Sequence, residues 1–416
     1  MADRTKRRRL NPPKTFETLP LQPLTQADKA RWNGFCEIES EPALFNVMLR
    51  DFGVKGVKVQ EVVSLEDEML ELLHKPIYGL IFLFRWKEDD PDKQESSCPE
   101  GIWFANQTSN YACASVALLN IINNVDEIEL GEELTHFKKF TMPFTPALRG
   151  DAIGNFEFIK RIHNSFARKM DVLNTDLQLK IEATNRRSKA KMSKTQDCDD
   201  AEAGFHFIGF VPAKGKLWKF DGLERQPQNL GDCSDDKWLD LAKPEIMSRM
   251  AEYEEGQIEF SILGLVKDPL IDLKAQLTTN IKYIVMIDEQ LSTLGSPIPD
   301  MVDTTATVNG NGNRTSHDLL FIGVERETVD LIDVPEDLRT KYKSATVEEL
   351  IAYREELVNA QKDIRIMISE EEQSHRTDED YAEARRHDYG PAVHTWVRLL
   401  ARKKVIEGLV EEILAY

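Results

Sequence analysis

Four residues of this sequence have the types and spacing for acyl transfer through a thiol. The first is Cys113, within the run Phe104–Asn120. Gln107 to Tyr111 is polar and turn-prone, and from Ala112 the residues turn small and apolar: Ala114, Val116, Ala117, Leu118 and Leu119. That change predicts a buried helix starting near Ala112, with Ser109 or Asn110 as its N-cap. Cys113 then falls in the first helical turn. Unpaired N–H groups and the positive end of the helix dipole favour thiolate over thiol there. Gln107, six residues upstream, brings a side-chain amide donor on the loop that feeds the helix. A lone cysteine in an apolar helix is more often a small core residue. The reading therefore needs a base from elsewhere in the chain.

The segment Gly204–Leu223 offers one. Phe205 to Val211 is strand-like, Pro212 to Gly215 turn-like, and Leu217 to Asp221 strand-like again, which predicts a hairpin. With Ala213-Lys214 as the loop, Pro212 pairs with Gly215 and His206 faces Asp221 across the ladder. At that separation a carboxylate orients an imidazole. A slip of one residue would put the two side chains on opposite faces. His206 alone would more often be a satisfied buried histidine. Together, Cys113, His206 and Asp221 supply the nucleophile, base and orienter of a thiol hydrolase. Gln107 and the Cys113 backbone N–H supply donors to the oxyanion, in a class of interaction worth about 3 kcal/mol per donor.

The elements that must hold these groups are legible around them. Pro42 opens a helix whose face is Leu44, Phe45, Met48, Leu49 and Phe52, ending at Gly53. Val57, Val59 and Glu61–Val63 read as a strand. Tyr78–Trp86 is a β-rich apolar run, hence a central strand. Residues 87–100 are a charged loop, and 134–140 and 146–162 read as helices. Phe260–Val266 reads as a last strand. The class is α/β (α+β). Residues 168–203 are rich in Lys, Arg, Asp and Ser, with no clean period. A long unstructured insertion of that kind is functional or disordered.

The chain has 416 residues, room for two or three domains, and a formal net charge of −19. That balance argues against general nucleic-acid binding and favours basic partners. Cys36, Cys98, Cys113, Cys198 and Cys233 are scattered, without metal-ligand spacing or a disulfide framework, and fit a reducing compartment. There is no signal-peptide pattern and no apolar run of membrane-spanning length. Residues 1–30 read as a disordered basic tail. Within it, Lys6-Arg7-Arg8-Arg9 is either a nuclear localisation signal or a solubilising cluster.

Gln107-x5-Cys113 followed by Ala114 and Ala117-Leu-Leu, Phe205-His-Phe and Asp221-Gly-Leu together resemble the ubiquitin C-terminal hydrolase (UCH) family of cysteine deubiquitinases. Glu39-Ser-Glu-Pro with Phe45, Asp51-Phe-Gly-Val, Gly79-Leu-Ile-Phe-Leu-Phe and His163–Arg168 are similar to its long members. The resemblance covers roughly residues 30–269. It implies a papain-like fold with a knotted backbone over a catalytic domain at 31–269. It also implies that 168–203 is the crossover loop through which the ubiquitin tail threads. The implied chemistry is attack of Cys113 on the terminal glycine carbonyl of ubiquitin, with His206, Asp221 and Gln107 in the roles given above and no metal or cofactor. Two departures are Tyr111, where long members carry a small or polar residue, and Asn106, where a basic residue is typical.

In the C-terminal third, residues 270–293 read as a helix and Pro297–Thr315 as a flexible linker, giving a helix-and-linker region at 270–340. Val347, Leu350, Ile351, Leu357, Val358 and Ile364 recur at helical spacing. The acidic stretch Glu370–Asp380 reads as a solvated helix face or loop. Arg385-Arg-His-Asp-Tyr-Gly-Pro391 then precedes a helix carrying Val393, Trp396, Val397, Leu400, Leu409, Val410 and Ile413. That apolar content calls for a partner surface, or for packing back on residues 340–370. Residues 341–416 resemble the C-terminal helical domain of two long UCH types, one proteasome-associated and one chromatin-associated. In both, this domain implies an adaptor with a deubiquitinase-adaptor (DEUBAD) domain. The chain lacks the very long central insert and long basic extension of the chromatin type. It is therefore expected to be proteasome-associated, with the proteasomal ubiquitin receptor as adaptor, in cytoplasm and nucleus. The competing readings are a chromatin-associated histone deubiquitinase, a non-catalytic ubiquitin-binding scaffold, and a general papain-like protease with an open cleft.

Overall fold

A computed structural model describes residues 23–86, 89–189, 204–234, 237–251, 260–296, 329, 331–403 and 405. The basic cluster Lys6–Arg9, the linker Pro297–Thr315, the end of the crossover segment at 190–203, and Leu409, Val410 and Ile413 lie outside the described residues. The chain divides into two compact units. One holds the described residues up to Val266 together with those from Asp378 onward, and the other is Lys267–Thr377. The expected boundaries at 270–340 and 341–416 cut differently, because the Arg385 motif is built into the first unit.

A six-stranded sheet organises the first unit. Its strands are β1 (Val57–Glu61), β2 (Ile77–Arg85), β3 (Phe205–Ala213), β4 (Lys216–Phe220), β5 (Gln228–Asp232) and β6 (Phe260–Lys267). Their order is β1-β6-β2-β3-β4-β5, and β2 pairs antiparallel with both β6 and β3. A strand flanked on both edges and covered on both faces must be apolar throughout, which is why β2 reads as one continuous run. Its side chains alternate between two cores. Ile81 joins Phe207, Val211, Trp218 and Phe220 on one face. Leu80, Phe82 and Phe84 join Ile208, Phe210, Leu217, Trp238 and Ile246 on the other.

The helices α1 (Gln26–Arg31), α2 (Pro42–Asp51), α3 (Asp67–Leu70), α4 (Cys113–Ile122), α5 (Gly131–Thr141), α6 (Pro146–Asn155), α7 (Glu157–His163), α8 (Lys169–Lys189) and α9 (Trp238–Met250) complete this unit up to β6. α4 packs on the first face over Gly79 and Gly209. A Cβ on either would come within 3.0 Å or less of the Ile121 side chain, so these two glycines let the helix sit close to the sheet.

Two expectations change here. Residues 26–30, placed in the disordered tail, belong to α1, opened by a capping box between Thr25 and Asp28. Residues 169–189, read as unstructured, form the 21-residue α8. Asp171 accepts from the Arg168 backbone N–H at 2.8 Å and so caps its start. Among the residues of α8 up to Lys180 only Val172 and Thr175 are buried, a stripe too narrow to register as a period in the sequence.

In the second unit α10 (Pro269–Thr293), α11 (Glu336–Ser344) and most of α12 (Val347–Arg386) pack through Leu277, Ile281 and Ile368, and through Ile287, Leu291, Tyr342 and Leu350. The periodic stretch from Val347 and the acidic stretch Glu370–Asp380 are one 40-residue helix. α13 (Gly390–Arg402) follows and buries none of its residues.

Candidate active site

α4 begins at Cys113, as its composition predicts. Its N-cap is Ala112, not Ser109 or Asn110, and it makes no side-chain cap bond. The first intrahelical bond is Val116 N–H to Ala112 O at 2.9 Å, which leaves the N–H groups of the first turn without helical acceptors. An uncapped, electropositive end beside a half-buried thiol suits an anion.

His206 and Asp221 meet beside it. Nε2 of His206 donates to Oδ1 of Asp221 at 2.7 Å, with both side chains about 95% buried. The same oxygen accepts the Leu223 backbone N–H at 2.9 Å. The hairpin register differs from the expected one. The turn is Lys214-Gly215, with φ of 54° and 73°, so that Ala213 pairs with Lys216 and Gly209 with Phe220. A two-residue turn with positive φ at both centres favours glycine, and Gly215 supplies it where Ala213-Lys214 has none. The shift is two residues. Asp221 therefore stays on the face of His206, diagonal to it rather than opposite.

Burial alone would depress the His206 pKa. Hydrogen bonds to Asp221 and to Cys113 outweigh it and push the imidazole up to about 9. Burial raises the Asp221 carboxyl, and the bond from His206 outweighs that and holds it below the usual carboxylate range. With Nε2 committed to Asp221, Nδ1 is left for the Cys113 thiol. An imidazolium held beside a thiol at a helix N-terminus is the arrangement a nucleophilic thiolate needs. Cys36 is the contrast. It lies fully buried, and its thiol is pushed up to about 12 by burial.

A family model of ubiquitin carboxyl-terminal hydrolases, family 1, matches residues 35–251. The chain belongs to the ubiquitin carboxyl-terminal hydrolase family. It is 38% identical over 263 residues to ubiquitin carboxyl-terminal hydrolase isozyme L5 of Dictyostelium discoideum, covering 63% of this chain and 71% of that protein. It is 32% identical over 319 residues to ubiquitin carboxyl-terminal hydrolase ubh-4 of Caenorhabditis elegans, covering 74% of this chain and 92% of that one. With ubiquitin carboxyl-terminal hydrolase BAP1 of Xenopus tropicalis it shares 33% identity over 59% of this chain and 35% of that protein. The solved structure of Trichinella spiralis UCH37 catalytic domain bound to ubiquitin vinyl methyl ester aligns at 31% identity and TM-score 0.46, over 59% of this chain and all of that one. This hydrolase is a cysteine deubiquitinase.

The loop of Gln107 is held by residues that the sequence reading passed over. Asn120 of α4 and Asn124, just past the end of that helix, take the place of a neighbouring strand. The Ala105 N–H donates to Asn120 Oδ1 at 2.8 Å and Asn120 Nδ2 donates to Ala105 O at 3.1 Å. Trp103 and Asn124 exchange the same pair at 2.8 and 2.7 Å. Buried Arg149 of α6 donates to the carbonyls of Thr141, Ile102, Phe104 and Met142. The Gln107 N–H donates to Gly222 O at 2.8 Å, which stitches this loop to the one carrying Asp221. A Cβ on Gly222 would sit 3.1 Å from that nitrogen. Gln107 Oε1 is buried without a hydrogen-bond partner among the described residues. The available signal was two asparagines four apart around an otherwise apolar stretch.

Both departures in this hydrolase have contacts. Asn106 Nδ2 donates to Glu224 O at 2.5 Å. Tyr111 takes φ of 63° in the turn closed by Ala112 N–H to Ser109 O, a position suited to Gly or Asn. Left-handed backbone costs such a residue about 1–2 kcal/mol. Its phenol hydrogen-bonds Gln178 of α8.

α8 is tied at several points. Trp32 Nε1 donates to Asp176 at 3.0 Å. At its start, Arg385 donates to both Glu39 carboxylate oxygens (2.8 and 2.9 Å), to Phe166 O (3.0 Å) and to Asp171 (2.8 Å), while Asp388 accepts from the Lys169 N–H at 3.2 Å. The Arg385-Arg-His-Asp motif therefore serves the catalytic unit itself.

Proposed function

We propose that this chain releases ubiquitin from amide, isopeptide or ester bonds at its C-terminal glycine, with Cys113 as nucleophile. The contact that carries the reading is the 2.7 Å bond between buried His206 and Asp221, with the Cys113 thiol helping to raise the same imidazole. His206 takes the thiol proton, and Asp221 holds the ring and stabilises the imidazolium. The thiolate adds to the glycine carbonyl. The Gln107 side-chain amide and the Cys113 N–H steady the oxyanion. The imidazolium protonates the leaving amine, a thioester forms, and water activated by His206 releases ubiquitin. The net charge of −19 suits a basic tail.

The finer assignment is a proteasome-associated, partner-activated enzyme of cytoplasm and nucleus. The chain lacks the very long central insert expected of the chromatin type, which supports this assignment. The exposed Val393, Trp396 and Val397 of α13 support an adaptor surface for a DEUBAD domain, here the proteasomal ubiquitin receptor. The nuclear share rests on Lys6–Arg9.

The test is hydrolysis of a ubiquitin C-terminal fluorogenic amide by the native chain and by Cys113→Ala, with and without the adaptor. Activity lost on substitution is expected. Ubiquitin binding without Cys113-dependent turnover in either condition would leave the scaffold reading in its place.

A further inference from the structure

We propose that Asn106 is a positioning residue that sets the oxyanion donor Gln107 against the turn carrying Asp221, an inference that rests on the deubiquitinase reading above. The site is assembled from two separate loops. One runs from Ala105 into α4 and brings the donors to the oxyanion. The other follows β4 and brings the carboxylate that orients His206. Neither places its own group unaided. Gln107 Oε1 has no hydrogen-bond partner among the described residues, so that side chain takes its place from the backbone beneath it. Asp221 sits in a turn closed by Glu224 N–H to Asp221 O at 3.1 Å and by Leu223 N–H to Asp221 Oδ1 at 2.9 Å. Those bonds fix the shape of the turn and not its place beside Gln107.

Asn106 spans the gap. Its Nδ2 donates to Glu224 O at 2.5 Å and to Gly222 O at 3.4 Å, both on the Asp221 turn. Both acceptors are carbonyls, so the amide must present its nitrogen there. Beside it the Gln107 N–H donates to the same Gly222 O at 2.8 Å. The other side of the loop rests on α6. The Asn106 N–H donates to Pro146 O at 3.0 Å. A Cβ on Gly150 would fall 2.1 Å from Asn106 O, and one on Gly222 would fall 3.1 Å from Gln107 N. The loop is thus clamped between α6 and the Asp221 turn, with a glycine on each side where the backbones come closest.

The clamp matters because the two loops act on one carbonyl. A displacement of about 1 Å between groups that share a reacting centre costs on the order of 10²-fold in rate. Without the Asn106 amide, Gly222 O and Glu224 O lose a donor, and the turn is free to move against Gln107. The substrate still binds, and the misfit is met only when charge develops on its oxygen. The loss therefore falls on kcat and spares KM.

The experiment uses the full chain as native protein, Asn106→Ala, Asn106→Asp, Gln107→Ala and the double variant of Asn106→Ala with Gln107→Ala. Asn106→Asp keeps the shape of the side chain and turns oxygen toward the two carbonyls, so it carries the same test should Asn106→Ala not fold. On the ubiquitin C-terminal fluorogenic amide, both single variants at 106 are expected to lower kcat about 5- to 50-fold, less than loss of Gln107 itself, with KM within about twofold of native. The double variant should lose less than the product of the two single losses, because the placing of Gln107 matters only while Gln107 is present. Ubiquitin aldehyde, to whose carbonyl Cys113 adds, should bind about 5- to 50-fold more weakly to the variants at 106, and free ubiquitin equally well.

Native-like kcat in both variants at 106 overturns the proposal, as do losses that multiply in the double variant. A parallel fall in the affinities for the aldehyde and for free ubiquitin overturns it too, and leaves Asn106 a general prop of the fold. Native protein without Cys113-dependent hydrolysis of the fluorogenic amide defeats the deubiquitinase reading instead. Amide exchange at Gln107 and along residues 222–224, expected to quicken several-fold in Asn106→Ala, judges the clamp in either case, and unchanged exchange overturns it.

Discussion

α4 carries the thiol and α8 meets the turn before it through Tyr111, and the two helices are built on opposite principles. Every residue of α4 after Cys113 is buried. The helix lies close on the sheet over Gly79 and Gly209, and its Asn120, with Asn124 just beyond its end, holds the segment leading to Gln107. α8 is twice as long, leaves Met170, Leu173 and Leu177 exposed, and is fixed by a few polar ties. The groups that do chemistry must be held to a fraction of an ångström, which needs redundant packing. A helix fixed by few, separable bonds can part from its neighbours at low cost. Rigidity and looseness are thus assigned to different helices.

The comparison breaks most sharply at the triad. Cys113→Ala is expected to lower kcat on the fluorogenic amide by more than about 10⁴-fold, and Asp221→Asn by about 10³- to 10⁴-fold through the wrong imidazole tautomer. Wild-type-like turnover by either variant would remove α4 and its hairpin from the mechanism. Gln107→Ala is expected to cost about 10²- to 10³-fold in kcat. Since Gln107 Oε1 has no partner among the described residues, its melting temperature should stay within a degree or two of the native value, and a large drop would show a structural role instead.

Smaller effects sharpen the contrast between the helices. Asn120→Ala strands the buried Ala105 N–H and carbonyl, and should destabilise the fold by about 2–4 kcal/mol in urea titration. Gln178→Ala on α8 should cost under about 0.5 kcal/mol. Comparable losses from the two would erase the distinction.

Stability against pH should also carry the mark of two buried histidines. His206, raised to about 9, contributes stability fully present below its unfolded value near 6.5 and lost as pH rises toward 9. Burial lowers His163 to about 4, where it sits neutral between Ser115 and the Cys36 carbonyl. Its share is present above 6.5 and lost as pH falls toward 4. Denaturation midpoints should therefore fall away on both sides of pH 6.5. His206→Gln should flatten the alkaline limb and leave the acid limb, and an unaltered alkaline limb would show that His206 is not the group responsible.

The site was largely legible because its signals are local. A change from polar to small apolar residues marks the start of α4, and alternation marks β3 and β4. The register was not legible in full, since it turned on whether the two turn residues were 213 and 214 or 214 and 215. α8 was hidden because Val172 and Thr175 are too few to make a face. The role of Arg385 was hidden for another reason. Its partners Glu39 and Asp171 lie 346 and 214 residues away, beyond any window over which periodicity operates.

That clasp has a consequence for how the molecule is made. Lys169 N–H, in the first turn of α8, waits for an acceptor 219 residues further along the chain. At about 5–20 residues per second of synthesis, that is a delay of roughly 10–40 seconds. Once Lys267 is made the sheet and α4 have all their strands, while α8 still has its local Asp171 cap without the clasp. The helix of the nucleophile is seated first, and the start of α8 is fastened last.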